Sequence, residues 1–290
     1  MKQTKNKKSK SHSPVSAIIV TLVLLTGISL LLYPTVADYI NSLNYKKDIE
    51  DYRREVQQLD VNVRQEMLAA AHKYNTALLE RSARIGGLDP TMKKEYDSLL
   101  DPLGTGMMGY IVIEKVGLYL PIYHGTGENV LQTGIGHIES SSLPVGGVGT
   151  NAILSGHTGL PSSKLFSSID QLKKGDIFYL HILGEVLTYQ VESAVVLLPK
   201  EAEKQEIDPQ SDLCTLMTCT PYGVNSHRLL VTGVRIRTPK ERLSDENKPF
   251  ETISASLPPV LWAVIIGLPV LTAVVIAVVV RKVRLNKKTQ

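Results

Sequence analysis

Two uncharged apolar runs, residues 15–37 and 254–280, bracket the chain and constrain its structure more than any other feature. Each exceeds the roughly 20 residues an α-helix needs to cross a hydrocarbon core, so both are predicted transmembrane helices. Lys2, Lys5, Lys7, Lys8 and Lys10 precede the first run, and Arg281, Lys282, Arg284, Lys287 and Lys288 follow the second. The positive-inside rule places both termini in the cytoplasm. The expected topology is two-pass in the plasma membrane, with the intervening chain on the extracellular face. Removing these ten positive charges from the formal net charge of +4 leaves −6. The basic balance is therefore a topology signal and does not argue for nucleic-acid binding. A competing reading makes residues 1–37 a signal peptide ending at Thr35-Val36-Ala37. The apolar run is long for the core of such a peptide, which favours an anchor.

The expected organisation follows from this frame. Basic tails occupy residues 1–14 and 281–290, a helical segment residues 38–105, a β-rich domain residues 106–239 and a polar linker residues 240–253. Ile49, Tyr52, Val56, Leu59 and Val63 recur at steps of three and four among charged residues. This predicts an amphipathic stalk helix that lifts the next domain off the membrane and runs towards Glu80, ending at Gly86-Gly87. From Gly109 onward the texture changes to short β-branched stretches and glycine-rich turns. Strands are expected near 110–116, 151–155, 177–183, 186–191, 193–198, 213–219 and 229–237. One helix is expected near Ser163–Leu172. That pattern suggests a mainly β closed barrel or sandwich. Residues Pro199–Asp212 are long for a hairpin loop and are expected either to line a groove or to form a simple surface loop.

The chemistry concentrates between Leu213 and Gly233. Residues 213–219 alternate as a strand, Pro221, Gly223 and Asn225 supply a turn, and Leu229-Leu230-Val231 resumes a strand. Such a hairpin sets Cys219 beside Arg228, and a neighbouring guanidinium favours the nucleophilic thiolate. Cys214 is the one other cysteine. In an extended strand the two lie roughly 16 Å apart at about 3.3 Å per residue, beyond the reach of a disulfide. Their odd spacing sends the side chains to opposite faces, Cys214 towards the core and Cys219 away from it.

A thiol nucleophile needs a proton acceptor. Among the histidines, His12 falls in the basic tail, His72 on the stalk, His181 mid-strand, and His227 is turned away from Cys219 by alternation. His124, His137 and His157 remain, each beside glycine-rich sequence. His157 has the best setting because Asn151–Ser155 is a predicted strand and Gly156 lets the backbone turn at its end. His137 is the next candidate.

Thr215-Leu216-Met217-Thr218-Cys219-Thr220-Pro221, followed by Arg228, resembles the signature of the sortases, the membrane-anchored cysteine transpeptidases of Gram-positive bacteria. Leu154-Ser155-Gly156-His157 resembles their histidine motif, and the likeness runs from Met108-Gly109-Tyr110 to Gly233-Val234-Arg235. Paired spans and a helical N-terminal stretch resemble the class C, pilin-polymerising branch. The resemblance implies a closed sortase-type β-barrel with short helices, with Cys219 as nucleophile and His157 as its proton-transfer partner. Arg228 would hydrogen-bond the substrate and the oxyanion, a donor role worth about 10²–10³ in rate. Thr218 and Thr220 would contact substrate. It further implies cleavage of a Leu-Pro-x-Thr-Gly sorting signal between Thr and Gly, a thioester on the cysteine, and resolution by a pilin lysine. No metal or organic cofactor is implied.

Two departures accompany this likeness. Class C members often carry a lid with an Asp-Pro-aromatic motif, whereas Asp89-Pro90-Thr91 and Asp101-Pro102-Leu103 here lack the aromatic. Asp89-Pro90-Thr91 is the preferred lid, within reach of Arg228 electrostatically, the plain alternative being that it starts a helix running to Leu100. Glu114-Lys115 stands where the family usually has proline. The competing functions are a housekeeping sortase using a peptidoglycan-precursor amine, a hydrolytic thiol protease, and a non-catalytic adhesin. The adhesin accounts for the spans and stalk but not for Cys219, His157 and Arg228 together.

Overall fold

The computed structural model describes residues 14–80, 90–205 and 207–243, with scattered positions between 261 and 281. The chain divides into two compact units, Ile40–Ser254 and a second formed by Met1–Tyr39 with Ala255–Gln290.

Eight strands build the larger unit: β1 (Met107–Ile113), β2 (Leu118–His124), β3 (Ile135–His137), β4 (Thr150–Ser155), β5 (Ile177–Ile182), β6 (Glu185–Leu197), β7 (Asp212–Thr220) and β8 (His227–Ile236). They close into a barrel in the order β1-β2-β3-β4-β7-β8-β6-β5. Pairing of Tyr110 with His181 and of Val112 with Tyr179 joins β1 to β5 and leaves no sheet edge. Most neighbours are antiparallel, but β2 with β3 and β4 with β7 run parallel. Ile111, Ile122, Leu154, Leu180, Leu216 and Val231 are buried, each such side chain contributing about 1.5–3 kcal/mol by leaving water. Phe178 and Tyr189 stack with centroids 5.5 Å apart. A Cβ on Gly233 would sit 2.6 Å from the Phe178 ring, which is why a glycine interrupts the apolar run of β8.

The barrel expectation is met, with differences in detail. β2 and β3 were not anticipated. β3 has three residues, Ile135-Gly136-His137, too few and too glycine-rich to show strand character. The two strands expected near 186–191 and 193–198 are one, β6, because a shift of register between Val191 and Ser193 lets it continue through Glu192. Only a 3₁₀ turn, Ile169–Gln171, stands where a helix over Ser163–Leu172 was expected. Backbone bonds from Phe166 N to His157 O (3.2 Å) and from Ser167 N to Lys164 O (2.7 Å) commit that segment to a folded loop. Residues 198–211 are not a hairpin loop, because β8 lies between β6 and β7 and the connection must cross its end. The crossing includes a short helix (Pro199–Ala202).

The N-terminal half is helical: α1 (Pro14–Gln58), α2 (Val61–Glu80) and α3 (Pro90–Ser98). α1 is one continuous 45-residue helix, about 68 Å long at 1.5 Å per residue. Among the described residues it contains the one segment long and apolar enough to cross a membrane. The second predicted span falls mostly outside the described residues, as do both basic tails except Pro14 and Arg281. The stalk differs from expectation in two ways. It breaks at Asp60, whose Oδ1 accepts the Asn62 amide (2.8 Å) and so starts a separate helix. The apolar stripe also lies along the barrel instead of holding it at a distance. Ile49, Tyr52 and Val56 are buried, and the Tyr52 hydroxyl donates to Met108 O (2.8 Å) while accepting Leu183 N (2.8 Å). Leu59 is partly buried against the same core, and the stripe ends there, with Val63 on α2 42% exposed.

Glu114-Lys115 belongs to a 3₁₀ turn after β1. Lys115 Nζ pairs with Asp176 (2.6 Å) and Glu114 with Arg242 (2.5 Å). Arg242 also lies 5.0 Å over the Tyr179 ring, fixing the start of the linker to the barrel.

Candidate active site

The β7–β8 hairpin places Cys219 directly opposite Arg228 in the ladder. The intervening turn is closed by Val224 N and Asn225 N, which both donate to Pro221 O (3.1 and 2.9 Å). Asn225 takes the left-handed conformation that its short amide side chain tolerates, with φ of +58°. Arg228 Nη1 donates to Asn225 O (3.3 Å) and His227 O (3.2 Å), so the guanidinium is held against the turn that follows the thiol. Both cysteines are free, Cys219 half-buried and Cys214 fully buried. Burial, reinforced by Asp212, pushes the Cys214 thiol well above its ordinary range. Cys214 is thereby an inert core residue.

His157 follows β4, which runs parallel to β7 with Ser155 opposite Met217. Gly156 N continues this pairing by donating to Met217 O (3.1 Å), which carries His157 to the level of Cys219. Thr218 secures the junction. Its hydroxyl donates to Gly156 O (2.6 Å) and accepts the Thr158 hydroxyl (2.5 Å), so the residues on either side of His157 are tied to the residue before Cys219. Gly156 serves here by its lack of bulk rather than by freeing the backbone to turn. A Cβ there would meet Ile135 Cδ1 at 2.7 Å and the Phe166 ring at 2.9 Å. The His157 Nε2 is covered and has no hydrogen-bond partner among the described residues.

Thr218, expected to contact substrate, is 4% exposed with its hydroxyl committed to the histidine loop. Alternation along β7 also turns it to the face opposite the thiol. Its place is that of a structural tie. Thr220 is half-buried and ends β7 opposite His227. Asp89 lies outside the described residues. Pro90 opens α3, and Thr91 is exposed in its first turn. The alternative motif at Asp101 forms a turn, the carboxylate accepting the amides of Thr105 and Gly106 (both 3.0 Å).

Three of the other histidines, His137, His124 and His181, have structural settings. His137 is fully buried, its Nε2 donating to Ser142 O (2.7 Å) and its Nδ1 accepting the Tyr96 hydroxyl (3.0 Å). Burial lowers its pKa from 6.5 to about 3, so the ring is neutral. His124 pairs with His137 across β2 and β3, and its ring meets Tyr96 edge-on at 4.9 Å. His181 stacks on Tyr110 at 4.4 Å. The roles of Tyr96 and Thr158 had no sequence signal, since each depends on a partner from another element. Among the described residues no group of three or more His, Cys, Asp or Glu side chains is arranged to hold a metal ion.

The arrangement sets a half-buried thiol opposite an arginine in one ladder, with a histidine just past the end of the neighbouring parallel strand. It has the parts for nucleophilic attack, stabilisation of an oxyanion and proton transfer.

Comparison with known proteins agrees with this reading. The family model described as "Sortase domain" matches residues 111–236. Sortase A of Streptococcus agalactiae serotype III is 31% identical over 144 residues, covering 49% of this chain and 58% of that protein. The chain thus spans less than two thirds of the length of this curated relative. The crystal structure of sortase C1 from Streptococcus agalactiae superposes with a TM-score of 0.64 at 46% identity, covering 67% of this chain and 100% of the other. Sortase C of Streptococcus pneumoniae gives a TM-score of 0.59 at 40% identity, covering 66% and 97%. With a closed barrel, a Cys219–Arg228 ladder pair and a histidine at the end of β4, and with sortase C structures among its neighbours, the chain belongs to the sortase family and stands with its class C branch.

Proposed function

We propose that this protein is a membrane-anchored cysteine transpeptidase that polymerises pilins. The observation that supports this chemistry is the register of β7 with its two neighbours: Cys219 pairs with Arg228 on β8, and on β4 Ser155, two residues before His157, pairs with Met217, two residues before Cys219. In this reading the Cys219 thiolate attacks the Thr carbonyl of a Leu-Pro-x-Thr-Gly sorting signal. Arg228 donates to the oxyanion of the tetrahedral intermediate. His157, as imidazolium, protonates the Gly amine as the Thr–Gly bond breaks, leaving a thioester on Cys219. A pilin lysine amine then attacks the thioester and loses its proton to His157, and the thiolate departs as the isopeptide bond forms. No cofactor enters this sequence.

Support for the pilin acceptor comes from the likeness to sortase C structures, one of which is described in terms of pilin substrate specificity. Anchoring through residues 15–37 and 254–280, with both termini cytoplasmic, follows from the apolar runs and their basic flanks.

The test uses the full chain in detergent with a Leu-Pro-x-Thr-Gly peptide and a lysine-bearing pilin domain, the products being followed by mass spectrometry. The expected product is an isopeptide-linked adduct that Cys219→Ala abolishes. Hydrolysis alone, or transfer only to peptidoglycan-like amines, would overturn the pilin assignment. An adduct that persists in Cys219→Ala would overturn the nucleophile.

A further inference from the structure

We propose that Asn41 and Tyr45 of α1 are positioning residues for His157, so that the helix beginning in the N-terminal apolar run also holds the catalytic histidine in place. This rests on the functional reading above and adds residues that no motif around Cys219 or His157 contains.

The loop after His157 is closed at its base by its own backbone. Phe166 N donates to His157 O (3.2 Å), and Gly159 N donates to Ser167 Oγ (3.0 Å). Its tip turns back at Leu160 and Ser163, which form an isolated bridge. Two ties at the tip come from α1. Asn41 Nδ2 donates to Ser162 O (2.8 Å), and the hydroxyls of Tyr45 and Ser163 are 2.8 Å apart. Tyr45 is 6% exposed and Ser163 3%, so this contact is shielded from water, where a lost partner is felt most. The two α1 residues lie one helical turn apart and face the loop together.

Beyond Tyr45, α1 is held elsewhere. Asp48 accepts the Tyr123 hydroxyl (3.0 Å), Tyr52 bridges Met108 and Leu183, and Ile49 and Val56 are buried. Loss of the tip contacts therefore leaves the helix docked and frees only the loop. That loop begins at the residue after His157, and small displacements of a proton-transfer group cost rate out of proportion to stability.

The test is a double-mutant cycle on the full chain in detergent, with Tyr45→Phe, Ser163→Ala and the pair, plus Asn41→Leu. Two readouts are taken: kcat and KM for peptide transfer, and the rate at which iodoacetamide alkylates Cys219, resolved by mass spectrometry. Each single variant is expected to lower kcat about three- to tenfold with KM within about twofold of wild type. The Tyr45→Phe/Ser163→Ala pair is expected to lose less than the sum of the two single losses, because the two side chains share one bond. Alkylation is expected to slow in parallel. Ser163→Thr, which keeps the hydroxyl, should restore kcat. Unchanged kcat and alkylation in every variant, additive losses in the pair, or a fall in melting temperature with neither rate affected would each overturn the inference. The underlying reading fails separately, if Cys219→Ala still forms adduct.

Discussion

The buried pair of His137 and Tyr96 makes the stability of the barrel depend on pH by a predictable amount. Inside the fold His137 donates through Nε2 to Ser142 O and accepts through Nδ1 from Tyr96. Protonating Nδ1 would set an N–H against the Tyr96 hydroxyl in a site closed to water. Burial is the leading cause of the low pKa of about 3, with His124 opposing the charge further and the Ser142 bond partly offsetting it. The folded value lies below the unfolded value of about 6.5, so below that pH the unfolded chain binds a proton that the folded chain refuses. Stability is therefore complete above about pH 6.5 and declines as the pH falls towards about 3. At 1.36 kcal/mol per pH unit, the loss from this group at pH 5.0 is about 2 kcal/mol relative to pH 7.5. Other groups titrate over the same range, so the measurement is a difference. Urea unfolding of wild type and His137→Gln would be followed at pH 7.5 and 5.0. Glutamine keeps a donor for Ser142 and an acceptor for Tyr96 but has no charge to gain. The variant is expected to lose about 2 kcal/mol less than wild type between the two pH values, whatever its stability at pH 7.5. Equal losses in the two proteins would refute the burial argument.

Two further predictions bear on the site. Gly156→Ala forces a methyl against Ile135 and Phe166, and overpacking of this kind costs about 1–3 kcal/mol. Denaturant unfolding should show that loss, and peptide cleavage should fall with it because the clash lies one residue before His157. Arg228→Ala should lower kcat by about 10²–10³ in the peptide assay, and Arg228→Lys should recover little, since an ammonium lacks the planar fork. Full activity in the lysine variant would show that charge alone suffices.

What could be read from the chain and what could not divides by the distance between partners. The Cys219–Arg228 pair was legible because one hairpin carries both residues, and alternation with turn chemistry sets its register locally. The same alternation separated Cys214 from Cys219, and the structure has both thiols free. His157 was favoured by its place at a strand end, but its adjacency to Cys219 requires β4 to run parallel to β7. Nothing local encodes that pairing, and Thr218 and Gly156 are 62 residues apart. For the same reason the burial of Thr218 and its tie to the histidine loop had no local signal.

The predicted helix over Ser163–Leu172 gave way to a loop because Phe166 bonds back to His157 and Tyr45 reaches Ser163 across 118 residues. The stripe of Ile49, Tyr52 and Val56 announced an apolar helix face, and only the tertiary structure showed that the barrel itself covers it. Sequence by itself determined the apolar runs, the class of the fold and the chemistry of the hairpin, since these follow from side-chain type and nearest-neighbour geometry. Tertiary structure decided which histidine stands beside the strand that carries Cys219 and which is a neutral core residue, because burial and parallel strand pairing join parts of the chain that no local preference connects.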